Sequence, residues 1–99
     1  MSAYVIALLT VTDPEEYAVY RDMVPATIAR FGGRYLARGT DLKVLEGDLE
    51  PSRVALLEFE SAEQARAWWV SEEYEAAKPY RQRGAISRII LAEGLPLHR

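Results

Sequence analysis

The sequence contains no cysteine, which excludes disulfides, thiolate metal sites and a cysteine nucleophile together. Its one histidine, His98, follows Pro96 near the C-terminus, where chain ends are commonly mobile. A lone histidine cannot build a His-rich metal site, and at that position it is a poor catalyst. EF-hand spacing, a phosphate-binding glycine loop and a G-x-S-x-G elbow are all missing, so the expectation is of neither metal nor cofactor. Basic runs are missing too. Twelve Lys and Arg stand against fifteen Asp and Glu for a net charge of -3, whereas binding a phosphate backbone needs a positive footprint. No nucleic-acid partner is expected. The apolar run Ala3 to Val11 is far shorter than the roughly 20 residues of a membrane span, and it carries neither a basic leader nor a small-residue cleavage site. The reading is of a cytoplasmic protein with no membrane partner.

What is present is a globular balance: 99 residues, 49% hydrophobic and 27% charged. A chain of this length builds one core, so a single domain is expected over residues 1–95, followed by a tail at 96–99. Ala3 to Val11 is rich in β-branched and aromatic residues and reads as a strand. Both of its alternating faces, Tyr4, Ile6, Leu8 and Val5, Ala7, Leu9, are apolar, the pattern of a strand covered on both sides in mid-sheet. Asp13-Pro14-Glu15-Glu16 is a helix start, combining a carboxylate cap, proline at the first helical position and acids facing the dipole. Tyr17, Tyr20, Val24, Ile28 and Phe31 then recur at spacings of three and four as one apolar stripe. Pro25 removes a backbone donor, so a kink is expected near Arg21 to Pro25. Gly32-Gly33 ends the helix.

Arg34 to Arg38 and Leu42 to Glu46 read as two halves of a strand bent at Gly39-Thr40-Asp41, or as two short strands, with a bulge at Gly39. Gly47 to Ser52 is a turn. Arg53 to Glu60 alternates as the next strand, with Ala55, Leu57 and Phe59 on one face and Val54, Leu56 and Glu58 on the other. Ser61-Ala62-Glu63-Gln64 has capping-box spacing, and Ser71-Glu72-Glu73 repeats a cap ten residues on. Two helical pieces meeting at an angle are therefore expected, closed at Gly84 and followed by a strand over Ile86 to Ala92.

The element order is βαββαβ, an α+β, ferredoxin-like arrangement with its helices on one face of an antiparallel sheet. The other face would be bare, yet its strands lack the polar alternation of a solvated surface. A homodimer packed sheet to sheet is the economical cover.

Charged residues interrupt these apolar strands. Glu58 is the catalytic candidate: a carboxylate between sheets must find a cation or take up a proton, and raised-pKa carboxylates serve as general bases near neutrality. A strand-end salt bridge is its competing role. Among Arg38, Arg53, Arg81 and Arg88, Arg38 stands out as a ligand-binding cation, because its planar fork grips carboxylates. Tyr35, Trp68 and Tyr74 are the candidate aromatic lining. Trp68 and Trp69 sit about 100° apart on a helix, so one is a core anchor and the other edges a cleft or a dimer contact.

Gly32-Gly33-Arg34-Tyr35-Leu36-Ala37-Arg38-Gly39, then Leu45-Glu46-Gly47 with Pro51 and Arg53, then Leu57-Glu58-Phe59, together resemble domain-of-unknown-function family 1330 of the dimeric α/β-barrel superfamily. Ala67-Trp68-Trp69 and Ser71-Glu72-Glu73-Tyr74 resemble its second-helix signature, with Trp69 where tyrosine is more usual. The resemblance implies a ferredoxin-like protomer and a sheet-to-sheet dimer. It brings no reaction, so Arg38, Glu46, Arg53, Glu58 and Tyr74 enter only as motif positions. The superfamily includes oxygenases, isomerases, decarboxylases and haem-degrading enzymes, and fold alone does not choose among them. The lack of an internal histidine weighs against the last. Two functions stand open: a protein binding or converting a small organic molecule, anionic where Arg38 grips it, in a pocket by the sheet, or a non-catalytic homodimeric binding or regulatory module whose Arg and Glu residues are structural.

Overall fold

Asp13 begins the first helix as its sequence requires, its Oδ1 accepting from the amides of Glu15 at 3.2 Å and Glu16 at 3.4 Å. In the computed structural model, which describes residues 1–48 and 51–96, that helix is α1 (Pro14–Arg30). It runs on through Pro25, whose missing N–H leaves the ladder short of one bond without ending it. Before it comes β1 (Ala3–Val11); after it come β2 (Arg34–Gly39) and β3 (Arg53–Phe59). The second helical stretch divides as its two serine caps demand, into α2 (Ala62–Trp69) and α3 (Glu72–Gly84). Ser61 Oγ accepts from the Gln64 amide and Ser71 Oγ from the Tyr74 amide, each at 3.1 Å. The last strand is β4 (Ala85–Glu93). His98 and most of the C-terminal tail lie outside the described residues, as do positions 49 and 50 of the expected turn.

All strand pairs are antiparallel and the order across the sheet is β2-β3-β1-β4. This is the ferredoxin-like βαββαβ layout, with β1 in the interior as its two apolar faces require. Ala3, Val5, Ala7 and Leu9 are buried beneath the helices. Phe59, Trp68 and Tyr74 are the largest fully buried side chains, and covering an apolar side chain of this kind stabilises by about 1.5–3 kcal/mol. Trp68 Nε1 donates to Thr27 Oγ1 at 3.0 Å, which itself donates to the Val24 carbonyl at 2.7 Å, tying α2 to α1.

The opposite end of α1 is held by α3. The Gly84 carbonyl accepts from the amides of Thr12 and Asp13 at 2.9 and 3.1 Å. A Cβ on Gly84 would stand 2.6 Å from the Tyr17 amide nitrogen, so only glycine permits this approach.

Two expectations are corrected. Leu42 to Glu46 forms no strand: Gly39, at φ +136°, turns the chain off the sheet edge, and β3 pairs only with Arg34 to Gly39 on that side. The bulge falls at Leu36, between Tyr35 (opposite Leu57) and Ala37 (opposite Leu56), and not at Gly39.

The sheet is not closed within the chain. On the side away from the helices, Ile6 lies between Leu56 and Ile90, and Leu8 between Val54 and Arg88. Ile86 and Ile90 are 65% and 59% exposed.

Candidate functional site

The helix-covered side of the sheet holds a cleft where α1 crosses β2 and β3. Tyr17, Tyr20 and Arg21 reach it from α1, Tyr35 and Arg38 from β2, and Arg53 from β3; Trp68 and Tyr74 close it from behind. The cavity measures about 40 Å³.

Local rules account for each position. Tyr17 and Arg21 are four residues apart and share a helix face. Arg53 lies on the same strand parity as Ala55 and Leu57, facing the helices. Arg38 is placed by the bulge. Leu36 is the extra residue, so Tyr35 and Arg38 both face the helices, opposite Leu57 and Ala55. The Arg38 guanidinium sits 4.3 Å from the centre of the Tyr35 ring, and that of Arg53 sits 5.4 Å from the Tyr17 ring.

The cleft is electrostatically one-sided. Carboxylates take Arg30, Arg34, Lys78 and Arg83. Among the described residues, none pairs with Arg21, Arg38 or Arg53. Burial pushes the Tyr17 phenol above its usual pKa, with Arg53 opposing. Burial also raises Tyr20, assisted by Tyr74, and raises Tyr35 against the hydrogen bond and charge of Arg38. These phenols are neutral hydrogen-bond donors at physiological pH. Cations and donors facing one cavity form an environment for an anionic oxygen.

Of the residues singled out in the sequence, Arg38, Tyr35, Trp68 and Tyr74 come together at this cleft. Glu58 does not. It lies on the open face, accepting from Arg34 Nε at 2.8 Å and from the Tyr4 hydroxyl at 3.3 Å. The Arg34 hydrogen bond, followed by that of Ser2, holds its carboxyl below the usual range. Of the two roles open to Glu58 from the sequence, this geometry is that of the salt bridge: its cation is Arg34, which stands opposite it in the ladder. Arg88 is likewise on the open face, opposite Leu8.

In the sequence Tyr17 and Tyr20 belong to the apolar stripe of α1, and Arg21 carries no signal of its own. Arg53 was legible from strand parity. Trp69 lines a second, apolar groove of about 260 Å³ between α2 and the β4 edge, where Lys78 Nζ lies 4.5 Å from its ring centre. Among the described residues no group of three or more His, Cys, Asp or Glu is placed to hold a metal ion, and no helix is long and apolar enough to cross a membrane.

The family model for a domain of unknown function, DUF1330, matches residues 2–95. No curated protein sequence matches the chain significantly. Several solved structures share its fold. A protein of unknown function from Rhodopseudomonas palustris superposes with a TM-score of 0.77 at 22% identity, covering 97% of this chain and 84% of that one. A dimeric ferredoxin-like protein of unknown function from Jannaschia gives 0.79 at 10% identity, covering 95% and 100%. SnoaB, a cofactor-independent oxygenase from Streptomyces nogalater, gives 0.69 at 15% identity, covering 97% and 95%.

Proposed function

The chain belongs to the DUF1330 family, a domain of unknown function, and from that membership and the cleft we propose that it is a homodimer that binds a small organic anion between α1 and the sheet. The observation that carries this reading is the set of three guanidinium groups, Arg21, Arg38 and Arg53, facing one cavity with no carboxylate partner among the described residues. In a chain of net charge -3, leaving three cations together unpaired is unfavourable unless an anion joins them. Tyr17 and Tyr35, each under a guanidinium, suit the flat body of an aromatic acid, whose carboxylate enters the cavity.

The dimer supports the site without supplying it. Ile6, Leu8, Leu56 and Ile90 form an apolar patch on the open face, and such a patch is stable in water only when covered. Structural neighbours described as dimeric favour a second copy as the cover.

Between enzyme and binder, one observation favours binding alone: no carboxylate or histidine is among the described residues lining the cleft, and Glu58 is held ionised on the other side of the sheet. The SnoaB neighbour is described as a cofactor-independent oxygenase, which keeps conversion of the bound anion as the second reading.

The test is calorimetric titration with benzoate, using benzamide as the neutral isostere. The unmodified protein is expected to bind benzoate and discriminate against benzamide. Arg38→Ala and Arg53→Ala are each expected to weaken benzoate about tenfold, the scale of one charge-assisted hydrogen bond. Equal affinity for the two probes, or benzoate binding indifferent to both substitutions, would falsify the reading.

A further inference from the structure

Behind the cleft stands a fourth guanidinium, with no carboxylate partner among the described residues. Arg81 is only 6% exposed, and its Nε donates to the Tyr74 hydroxyl at 3.1 Å. Tyr74 is fully enclosed at 0% exposure, and its hydroxyl also lies 3.0 Å from that of Tyr20. Tyr20 lines the cleft. The three side chains thus form a line from buried charge to cavity, drawn from two helices: Arg81 and Tyr74 from α3, Tyr20 from α1.

The direction of the hydrogen bonds follows from counting protons. A guanidinium only donates, so Tyr74 oxygen is the acceptor toward Arg81, and each phenol has a single proton to give. If Tyr20 donated inward, the Tyr74 proton would be left without an acceptor among the described residues, inside a side chain that no water reaches. Buried donors are costly to leave unpaired. Tyr74 therefore donates to Tyr20, and the Tyr20 proton is released to face the cleft.

We propose that Arg81 is a positioning residue that, through Tyr74, aims the Tyr20 hydroxyl proton into the cleft, where it binds a carboxylate oxygen of the ligand. This rests on the reading of the cleft as an anion site and assigns its inner end. Arg21, Arg38 and Arg53 draw the anion in, and Tyr20 supplies the directed bond. Without the Arg81 donor, Tyr74 is free to accept from Tyr20 instead, and the proton turns away from the ligand; without the Tyr74 hydroxyl, Tyr20 loses the donated bond that fixes its oxygen and polarises its O–H toward the cleft.

Benzoate and benzamide titrations of Tyr20→Phe, Tyr74→Phe and Arg81→Met test the line. Each substitution is expected to weaken benzoate about tenfold and benzamide, whose neutral amide oxygen accepts a weaker bond, by clearly less, and Tyr20→Phe combined with Arg81→Met is expected to bind no worse than Tyr20→Phe alone, since both break one chain. Where Arg81→Met does not fold, Tyr74→Phe, which keeps the buried ring, decides. Equal losses for both probes would mean that Arg81 and Tyr74 serve only to hold the fold, and the proposal falls. Benzoate binding that is lost in Arg38→Ala yet intact in Tyr74→Phe and Arg81→Met overturns this proposal alone. No benzoate binding by the unmodified protein overturns it together with the cleft reading.

Discussion

Arg38 covers the Tyr35 ring, its guanidinium 4.3 Å from the ring centre, although the two residues are three apart in a strand and regular alternation would send them to opposite faces. Arg34 and Arg38, four apart, do lie on opposite faces: Arg34 meets Glu58 on the open side, and Arg38 faces the helices. One extra residue, Leu36, brings Tyr35 and Arg38 to the same side of the sheet. A bulge re-aims side chains in this way.

Two residues share one ladder position at the bulge, so deleting Leu36 is expected to leave Arg38 facing the helices with Ala37 taking the outward place. Benzoate affinity should stay within about twofold, because the Tyr35 and Arg38 pairing survives. Titration of the deletion variant checks this. A large loss would show that the bulge itself shapes the cleft.

The Glu58 carboxyl is held below its ordinary value of 4.5 chiefly by Arg34. A lowered folded-state pKa contributes stability that is fully present above 4.5 and is lost as pH falls through the folded value. Glu58→Gln should therefore have a lower urea midpoint than the unmodified protein at pH 7, and the gap should narrow below pH 4.5. A gap independent of pH would mean that the ion pair contributes nothing.

The raised phenols act at the other extreme. Burial disfavours ionisation of Tyr17, Tyr20 and Tyr35 relative to the ordinary value of 10.0. Their contribution is complete below 10.0 and is lost as pH rises through the folded-state values. In an alkaline titration followed at the phenolate absorbance band, Tyr20→Phe should remove signal only from the part of the curve above pH 10.0. Loss of signal below that point would contradict its burial.

Ile6 and Ile90 are partners across the β1 and β4 ladder on the open face. Ile90 is 59% exposed in the single chain, so replacing it with Glu costs the protomer little. Light scattering after size-exclusion is expected to find the unmodified protein dimeric and Ile90→Glu monomeric, because two like charges would meet an apolar partner face. A dimer that survives the substitution places the interface elsewhere.

Sequence by itself determined what rests on neighbours along the chain. The bounds of β1, the Asp13, Ser61 and Ser71 caps and the two-sided apolar pattern of Ala3 to Val11 all follow from groups within a few residues of one another. Those local signals sufficed for the βαββαβ order and for an apolar face that needs a cover. Arg38, Tyr35, Trp68 and Tyr74 were also legible as residue types suited to a cleft. Only the tertiary structure decided their company. Strand register set Arg34, not Arg38, opposite Glu58, and a bulge at Leu36 turned Arg38 inward. The packing of α3 on α1 brought Arg81 to Tyr74 and Tyr74 to Tyr20, the last pair 54 residues apart in sequence. Register and helix docking are settled by burial summed over distant residues, and no local pattern at Glu58 or Tyr20 contains that sum.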